Sequence, residues 1–255
     1  MNILQITDPH LYGRADRELR GVYTDSSLRA VLGAALTQVA DYEALLITGD
    51  LVQEDAGGYE RLRAICGTLR KPVLCIPGNH DDPAAMVREL AAPPFQVCGA
   101  RSLGPWRIVM LDSFSPGEVG GRLRAEELAR LDRELGGCEG HALVCLHHHP
   151  VPMGSRWLDD IGLADAADFW RVVDAHTNVR GVVWGHVHQA FDGRRGAVRL
   201  FATPSTGAQF LPGSDGFAVD QRPPAFRHFE LLADGHILSR VHWVDALPSL
   251  KAAAG

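Results

Sequence analysis

The 255-residue chain has the length of one or two globular domains, and its 46% hydrophobic and 22% charged residues are the proportions of a soluble globule with a full core. They exclude a disordered chain, a coiled coil and a collagen-like fibre. A formal net charge of −6 gives no overall basic surface for a nucleic acid polymer, and no apolar run approaches the roughly 18 residues of a membrane span.

In chain order the first half alternates strand and helix. Asn2 to Thr7 is a short apolar run that stops at Asp8-Pro9-His10, where proline removes a backbone donor. A polar loop, Leu11 to Tyr23, leads to Asp25, read as the N-cap of a helix carrying Leu28, Val31, Leu32, Ala35 and Val39 at helical spacing. Ala44 to Thr48 is a second strand, closed by Gly49-Asp50. Tyr59, Leu62, Ile65 and Leu69 mark a second helix, and Pro72 to Ile76 a third strand closed by Pro77-Gly78-Asn79-His80. Strands follow at Trp106 to Leu111, Ala142 to Leu146 and Val179 to Trp184, with helices at Ala125 to Leu135 and Ala164 to Ala175. Beyond Gly196 come short strands at Val198 to Ala202, Ala225 to Leu232 and Ile237 to Val244, around a Gly/Pro-rich loop from Pro204 to Pro224. Neither a linker nor a repeat of 20–50 residues interrupts this order. One α/β domain over residues 1–255 is therefore expected, with residues 251–255 frayed.

The five cysteines are odd in number, scattered, and form no C-x-x-C pair. Met1-Asn2-Ile3 runs directly into Asp8 and His10, so no secretory signal is expected. Reduced thiols and a cytoplasmic location follow as expectations.

Histidine is the unusual residue, with twelve in the chain. Five strand candidates end in Asp, Asn or His: Asp8 and His10, Asp50, Asn79 and His80, His147 to His149, and His186 with His188. In open α/β sheets ligands bind beyond the carboxyl ends of the strands, so residues distant in sequence converge there. Taken singly, Asp8-x-His10 and Gly49-Asp50 are ordinary turns. Gly78-Asn79 is also a turn signal, whereas alternate histidines at a strand exit point the same way. All five in this order, each after a strand, form a set of carboxylate oxygen and imidazole nitrogen without thiolate, which suits Mn, Fe or Zn. Asp8, His10, Asp50, Asn79, His186, His188 and one of His147 to His149 are too many ligands for one ion. A bridging carboxylate lets them serve two, a known solution for phosphate ester cleavage.

These motifs resemble the signature of the calcineurin-like metallophosphoesterases. The stretches LQITDPHL, ITGDLVQ, IPGNHDDP, CLHHHPVPMGSRWLD, GHVHQ, ATPSTGAQF and RPPAFRHFELLADG extend the resemblance over nearly the whole chain. Over these stretches it is similar to the bacterial class III 3',5'-cyclic AMP phosphodiesterases. Gly207 departs from relatives that often carry cysteine there. The resemblance implies a four-layer α/β sandwich of two mixed β-sheets flanked by helices. It also implies a dinuclear centre of Fe or Mn, with Zn admitted. Asp8, His10 and His188 would hold the first metal, Asp50 would bridge, and Asn79, His148 and His186 would complete the second. His148 is chosen because the family's ligand lies two residues before proline, here Pro150, and His149 is the alternative. His147 would then end the strand.

The implied reaction is hydrolysis of 3',5'-cyclic AMP to 5'-AMP, by attack of a hydroxide held between the metals. His80 is the candidate proton donor or electrostatic clamp at the leaving oxygen; its bland alternative is to pair with Asp50 or Asp81 and orient a ligand. Asn79, His80 and His188 would also contact the substrate. Tyr12, Trp157 and Phe210 are candidates for stacking a purine, and Arg14, Arg17 and Arg20 for meeting phosphate, although loop packing and a solvated charged loop account for them as well. The rivals are a glycerophosphodiester or other small-diester hydrolase on the same site and a metal-binding scaffold without catalysis. A nuclease fits less well with an acidic chain whose only lysines are Lys71 and Lys251. The expected partner is a small phosphodiester rather than a nucleic acid polymer or a membrane.

Overall fold

The computed structural model describes residues 1–245, so the expected frayed tail lies outside the described residues. The first half contributes β1 (Asn2–Ile6), a two-rung ribbon of β2 (Glu18–Leu19) and β3 (Val22–Tyr23), α1 (Thr24–Gln38), β4 (Tyr42–Thr48), α2 (Gly57–Cys66), β5 (Val73–Ile76), α3 (Pro83–Glu89) and β6 (Phe95–Val97). There follow β7 (Gly99–Leu103), β8 (Trp106–Met110), α4 (Ala125–Gly136), β9 (His141–Cys145), α5 (Arg156–Asp159), α6 (Ala166–Asp174) and β10 (Val179–Trp184). The remaining strands are β11 (Phe191–Arg195), β12 (Val198–Ala202), the ribbon β13 (Gln209–Phe210) with β14 (Val219–Asp220), β15 (Ala225–Leu231) and β16 (Ile237–Trp243).

Two six-stranded sheets result, ordered β16-β15-β1-β4-β5-β6 and β11-β12-β10-β9-β8-β7. In the first, β1, β4, β5 and β6 run parallel while β15 joins β1 antiparallel. In the second, β8, β9, β10 and β12 run parallel, edged by antiparallel β7 and β11. Both sheets are therefore mixed, as expected.

Side-chain alternation along the central strands explains their continuous apolar sequences, because both faces are covered. On β4, Leu45 and Ile47 pack with Leu28, Val31 and Leu62 of the helices outside, while Ala44 and Leu46 face the other sheet. On β9, Val144 faces the outer helices and Leu143 and Cys145 the inner layer. The layers thus run helix, sheet, sheet, helix. Gln5 crosses between the sheets, donating to Thr48 Oγ1 at 2.8 Å and accepting from Thr203 Oγ1 at 2.6 Å. This polar link is satisfied at both ends, as a buried amide requires.

Several local expectations need correction. Asp25 is not an N-cap: α1 begins at Thr24, and the Asp25 carboxylate instead accepts from Arg29 Nε at 2.8 Å and from the Arg61 guanidinium at 2.7 Å. Helix α2 stops at Cys66 rather than Leu69, where Gly67 N–H returns to Arg63 O at 2.8 Å. Helix α3 escaped the sequence reading although Asp82 caps it, accepting from the N–H groups of Ala84 and Ala85 at 3.0 Å, with Pro83 in the first turn. Among the described residues, no helix is long and apolar enough to cross a membrane.

Candidate metal centre

The strands β1, β4 and β5 of one sheet and β9 and β10 of the other end side by side, and the chain turns sharply at each exit. Asp8 (φ 52°), His10 (φ 46°), Asp50 (φ 49°), His186 (φ 66°) and His188 (φ 46°) all adopt left-handed backbone conformations. Such angles are uncommon for residues with a Cβ, though Asp and His tolerate them better than most. Five of them at one edge mark a place where the surrounding fold holds the backbone for function.

The turns are closed by atoms of the neighbouring loops. Asp8 N–H donates to Gly49 O at 3.1 Å, and His10 N–H to Asp50 O at 2.9 Å. His186 N–H donates to the Asp8 carboxylate, 3.1 Å from Oδ1, and His80 N–H to Asp50 Oδ1 at 2.9 Å. Gly78 must lack a side chain, because a Cβ there would sit 2.2 Å from Asp50 Oδ1 and 2.7 Å from His147 Nε2. Gly49 combines φ +96° with a position only 2.1 Å from His147 Nδ1 for any added Cβ.

The expected residues come together in overlapping groups. Ligand atoms of Asp8, His10 and His188 lie within 4.8 Å of one another, as do those of Asp8, Asp50 and His147 and those of His10, Asp50 and His80. His10 Nε2 is 3.3 Å from His188 Nε2 and 3.7 Å from Asp50 Oδ2, and His188 Nε2 is 3.4 Å from Asp8 Oδ1. Asn79 presents a buried Oδ1 with no hydrogen-bond partner.

At the triple histidine the geometry departs from the expectation. Ring nitrogens of His147, His148 and His186 lie within 4.8 Å of one another, so distance alone admits His148. Both of its nitrogens are engaged: Nδ1 is 2.8 Å from Ser113 Oγ and Nε2 is 3.2 Å from Val119 O. A carbonyl only accepts, so the bond to Val119 places the proton on Nε2, and Nδ1 is the nitrogen that accepts from the Ser113 hydroxyl. His147 has the opposite arrangement. Its Nδ1 donates to Thr48 O at 2.8 Å, while Nε2 is buried, unpartnered and 3.4 Å from Asp50 Oδ2. His149, the alternative, is buried with both nitrogens unpartnered, but its ring stacks on His186 at 5.7 Å and it joins none of the ligand groups.

His186 and His188 are anchored in the same way as His147. Nε2 of His186 lies 3.1 Å from Ile161 O, and Nδ1 of His188 lies 2.7 Å from Ala208 O. An imidazole that donates one N–H to a backbone carbonyl presents the other nitrogen in a fixed tautomer, as metal-ligating histidines do. The ATPSTGAQF loop holds His188 further: Ser205 Oγ donates to Asp8 O at 2.8 Å, and Phe210 stacks on His188 with ring centres 4.0 Å apart. A Cβ at Gly207 would meet only Ser205 Oγ at 3.4 Å, so the departure at that position leaves the metal ligands undisturbed.

The electrostatics call for cations. Burial alone would push the Asp8 and Asp50 carboxyls up, but the neighbouring histidines override it and hold both below the usual carboxylate range. Burial likewise opposes charge on His147, yet Asp50 beside it lifts that imidazole to about 9. Burial drives His10 down to about 4, keeping it neutral and free to donate a lone pair. Two buried carboxylates whose ion-pair partners, among the described residues, are histidines alone form a site that a lysine or arginine does not neutralise. Asn79 Oδ1 and His147 Nε2 are both buried without a hydrogen-bond partner, and an amide oxygen and an imidazole nitrogen fit hard or borderline metal ions.

His80 lies at the open side, with its ring centre 5.2 Å from that of His10 in edge-to-face contact. Its Nδ1 is 3.2 Å from Glu54 Oε1 and 3.0 Å from the Gln53 amide nitrogen, rather than paired with Asp50 or Asp81. Asp81, weighed from the sequence only as a partner for His80, ties the loops together. It accepts from the N–H groups of Leu51 (3.0 Å), Val52 (3.2 Å) and Gly78 (2.9 Å) and from Tyr59 Oη (2.9 Å). Burial and the nearby Asp50 push its carboxyl up to about 7, against the pull of those donors.

The proposed base-stacking and phosphate-binding residues divide. Phe210 and Trp157 pack edge to face at 5.2 Å, each also touching Phe217, so both are engaged in the protein. Arg14 pairs with Asp16, and Arg17 lies over Tyr12 at 5.0 Å. Arg20 lies 4.1 Å over Phe217, beside the aromatic group that leans on His188. Two cavities flank the centre: one of about 480 Å³ beside Asn79, His80 and Tyr59, and one of about 820 Å³ beside His149, Ile161 and Asp159.

Comparison with known proteins gives the family. The chain is 37% identical over 244 residues to a 3',5'-cyclic adenosine monophosphate phosphodiesterase CpdA of Vibrio vulnificus, covering 94% of this chain and 89% of that one. It is 36% identical to the protein of the same name from Escherichia coli, covering 95% and 89%. A dimetal phosphatase of Danio rerio shares the fold, with a TM-score of 0.66 at 14% identity over 95% of this chain and 98% of that one. The family model described as calcineurin-like phosphoesterase matches residues 1–190, and the chain belongs to that family.

Proposed function

We propose that the chain is a metal-dependent phosphodiesterase that hydrolyses 3',5'-cyclic AMP to 5'-AMP. The observation that carries this reading is the convergence of residues from five strand-exit loops on four overlapping ligand groups, two of which contain Asp50. Relatives 36–37% identical along nearly the whole chain and named for cyclic AMP support the choice of substrate. In this reading Asp8, His10 and His188 hold one metal and Asn79, His147 and His186 the other, with Asp50 between them. His147 takes the place first given to His148, because it alone of the two has a free nitrogen facing Asp50. Fe or Mn suits the oxygen and imidazole set, and Zn is compatible with it. Bound metals supply positive charge for the phosphoryl oxygens and a lowered pKa for the attacking water.

The chain's own residues do the rest. The ribose 3'-oxygen is a poor leaving group and gains from a proton delivered as its bond to phosphorus breaks. His80 is placed for this. It is half-buried at the rim of the ligand group, and with Nδ1 turned toward Gln53 and Glu54 its Nε2 is left to carry the proton to the substrate. Asn79, His80 and His188 form the surface against which the phosphate lies. A small nucleotide diester as substrate fits an enzyme that lowers a nucleotide messenger in the cytoplasm.

A panel tests the reading. Metal-stripped protein reloaded with Mn²⁺ is given 3',5'-cyclic AMP, 3',5'-cyclic GMP, 2',3'-cyclic AMP, glycerophosphocholine and bis(p-nitrophenyl) phosphate. The reading requires the highest kcat/KM on 3',5'-cyclic AMP. Turnover of the aryl diester with little on any cyclic nucleotide would retain the metal site and refute the substrate.

A further inference from the structure

We propose that His148 is a positioning residue: it latches the loop of residues 113–121 over the metal centre, and that loop sets where the nucleoside part of the diester rests. The inference builds on the cyclic nucleotide reading above. His148 follows the proposed ligand His147 directly, and its ring centre lies 4.8 Å from those of both His147 and His186. Its two nitrogens reach opposite ends of one loop, Ser113 Oγ at 2.8 Å and Val119 O at 3.2 Å. The loop closes tightly on the ring, since a Cβ at Gly121 would fall 2.2 Å from His148 Nδ1.

This loop is also the partition between the two cavities. Gly117, Glu118 and Val119 line both the 480 Å³ space beside Asn79 and His80 and the 820 Å³ space beside His149. Val119 is 53% exposed although its carbonyl is held from below by His148. Beyond the partition the chain is anchored by Gly121 N–H to Gly162 O at 3.1 Å and Ala164 N–H to Gly121 O at 2.8 Å. Between the Ser113 and Gly121 anchors, the described residues give the loop's side of the partition no link to the metal layer other than His148. A phosphate at the metals has these two cavities on either side of the partition for its nucleoside, and the partition's position sets the room in each. Its height and tilt are fixed by one neutral imidazole that both donates and accepts.

The test compares Mn²⁺-loaded wild type with His148→Leu, His148→Gln and Ser113→Ala. Metal content is measured for each, with steady-state kinetics on 3',5'-cyclic AMP and bis(p-nitrophenyl) phosphate, and amide hydrogen exchange over residues 114–121. The proposal expects His148→Leu to keep wild-type metal content and a kcat on the aryl diester within about threefold. Its KM for 3',5'-cyclic AMP should rise about tenfold or more, with faster exchange in the loop. His148→Gln, whose amide offers one donor and one acceptor, should restore KM to within about threefold. Ser113→Ala gives the same reading with a smaller rise should His148→Leu fail to fold. Loss of metal in His148→Leu would make this residue a ligand and overturn the proposal, as would an equal loss on both diesters or unchanged loop exchange. A wild-type protein that ignores 3',5'-cyclic AMP overturns the substrate reading instead, and does so before any variant is made; the latch is then judged by metal content and loop exchange.

Discussion

Replacing Asp81 by asparagine puts an amide nitrogen into a pocket lined by donors. Oδ2 receives the N–H groups of Leu51 and Gly78, and Oδ1 receives Val52 N–H and the Tyr59 hydroxyl. With the amide nitrogen at the Oδ2 position, two buried N–H groups lose their acceptor. With it at the Oδ1 position, the Tyr59 hydroxyl can turn to Asp82 O, already 3.3 Å away, and only Val52 N–H is orphaned. The second arrangement is the cheaper, and one unsatisfied buried donor costs about 1–3 kcal/mol. For a chain of this size that corresponds to a fall in Tm of about 2–12 °C. The same bonds fix the Gly49-Asp50 loop against Gly78-Asn79, so metal retention should fall as well. Thermal unfolding and metal content of the Asn variant, measured at pH 8 where the carboxyl of the wild type is ionised, check both parts. An unchanged Tm with full metal content would refute the view that Asp81 ties these loops.

Further expectations follow from the same geometry. Asp50→Ala removes the carboxylate proposed to lie between the two metals and should abolish metal loading and turnover together, measured by elemental analysis and by release of product. His80→Ala should retain metal while slowing turnover of 3',5'-cyclic AMP about 10²-fold or more, in kinetics of the Mn²⁺-reloaded protein; loss of metal would assign His80 to the ligands instead. His147→Ala should release about half of the bound metal, whereas His149→Ala should release none, since only His147 presents a free nitrogen to Asp50. Chelation should lower Tm and reloading restore it, because Asp8 and Asp50 then lose the cations that offset their burial.

Much of the site was legible because its chemistry sits directly after apolar strands. Asp8, His10, Asp50, Asn79, His186 and His188 could be read from strand ends alone, and the structure brings them to one edge. The choice within His147–His149 was not legible. Spacing to Pro150 pointed to His148, but which ring turns toward Asp50 depends on the loop of residues 113–121 closing over its neighbour. Asp81 was hidden for a similar reason: its four donors come from three separate segments.

In the fold, buried central strands such as β4 and β9 announced themselves as apolar runs, whereas the edge strands β7 and β11, with sequences GARSL and FDGRR, did not. The ribbons β2–β3 and β13–β14 are two residues per strand, too short for any periodicity. The Asp82-Pro83 pair did carry a helix-start signal for α3, and Asp25 carried a false one because two arginines, rather than a helix terminus, hold its carboxylate.

The central claim is that this chain opens the ring of 3',5'-cyclic AMP at the bond to the ribose 3'-oxygen, using a metal centre built on Asp50. Hydrolysis by Mn²⁺-reloaded protein in ¹⁸O-labelled water, with the product analysed by mass spectrometry, tests it most directly. The expected product is 5'-AMP carrying one ¹⁸O on phosphorus, with none from metal-stripped protein. Product as 3'-AMP, or equal turnover with and without metal, would contradict it.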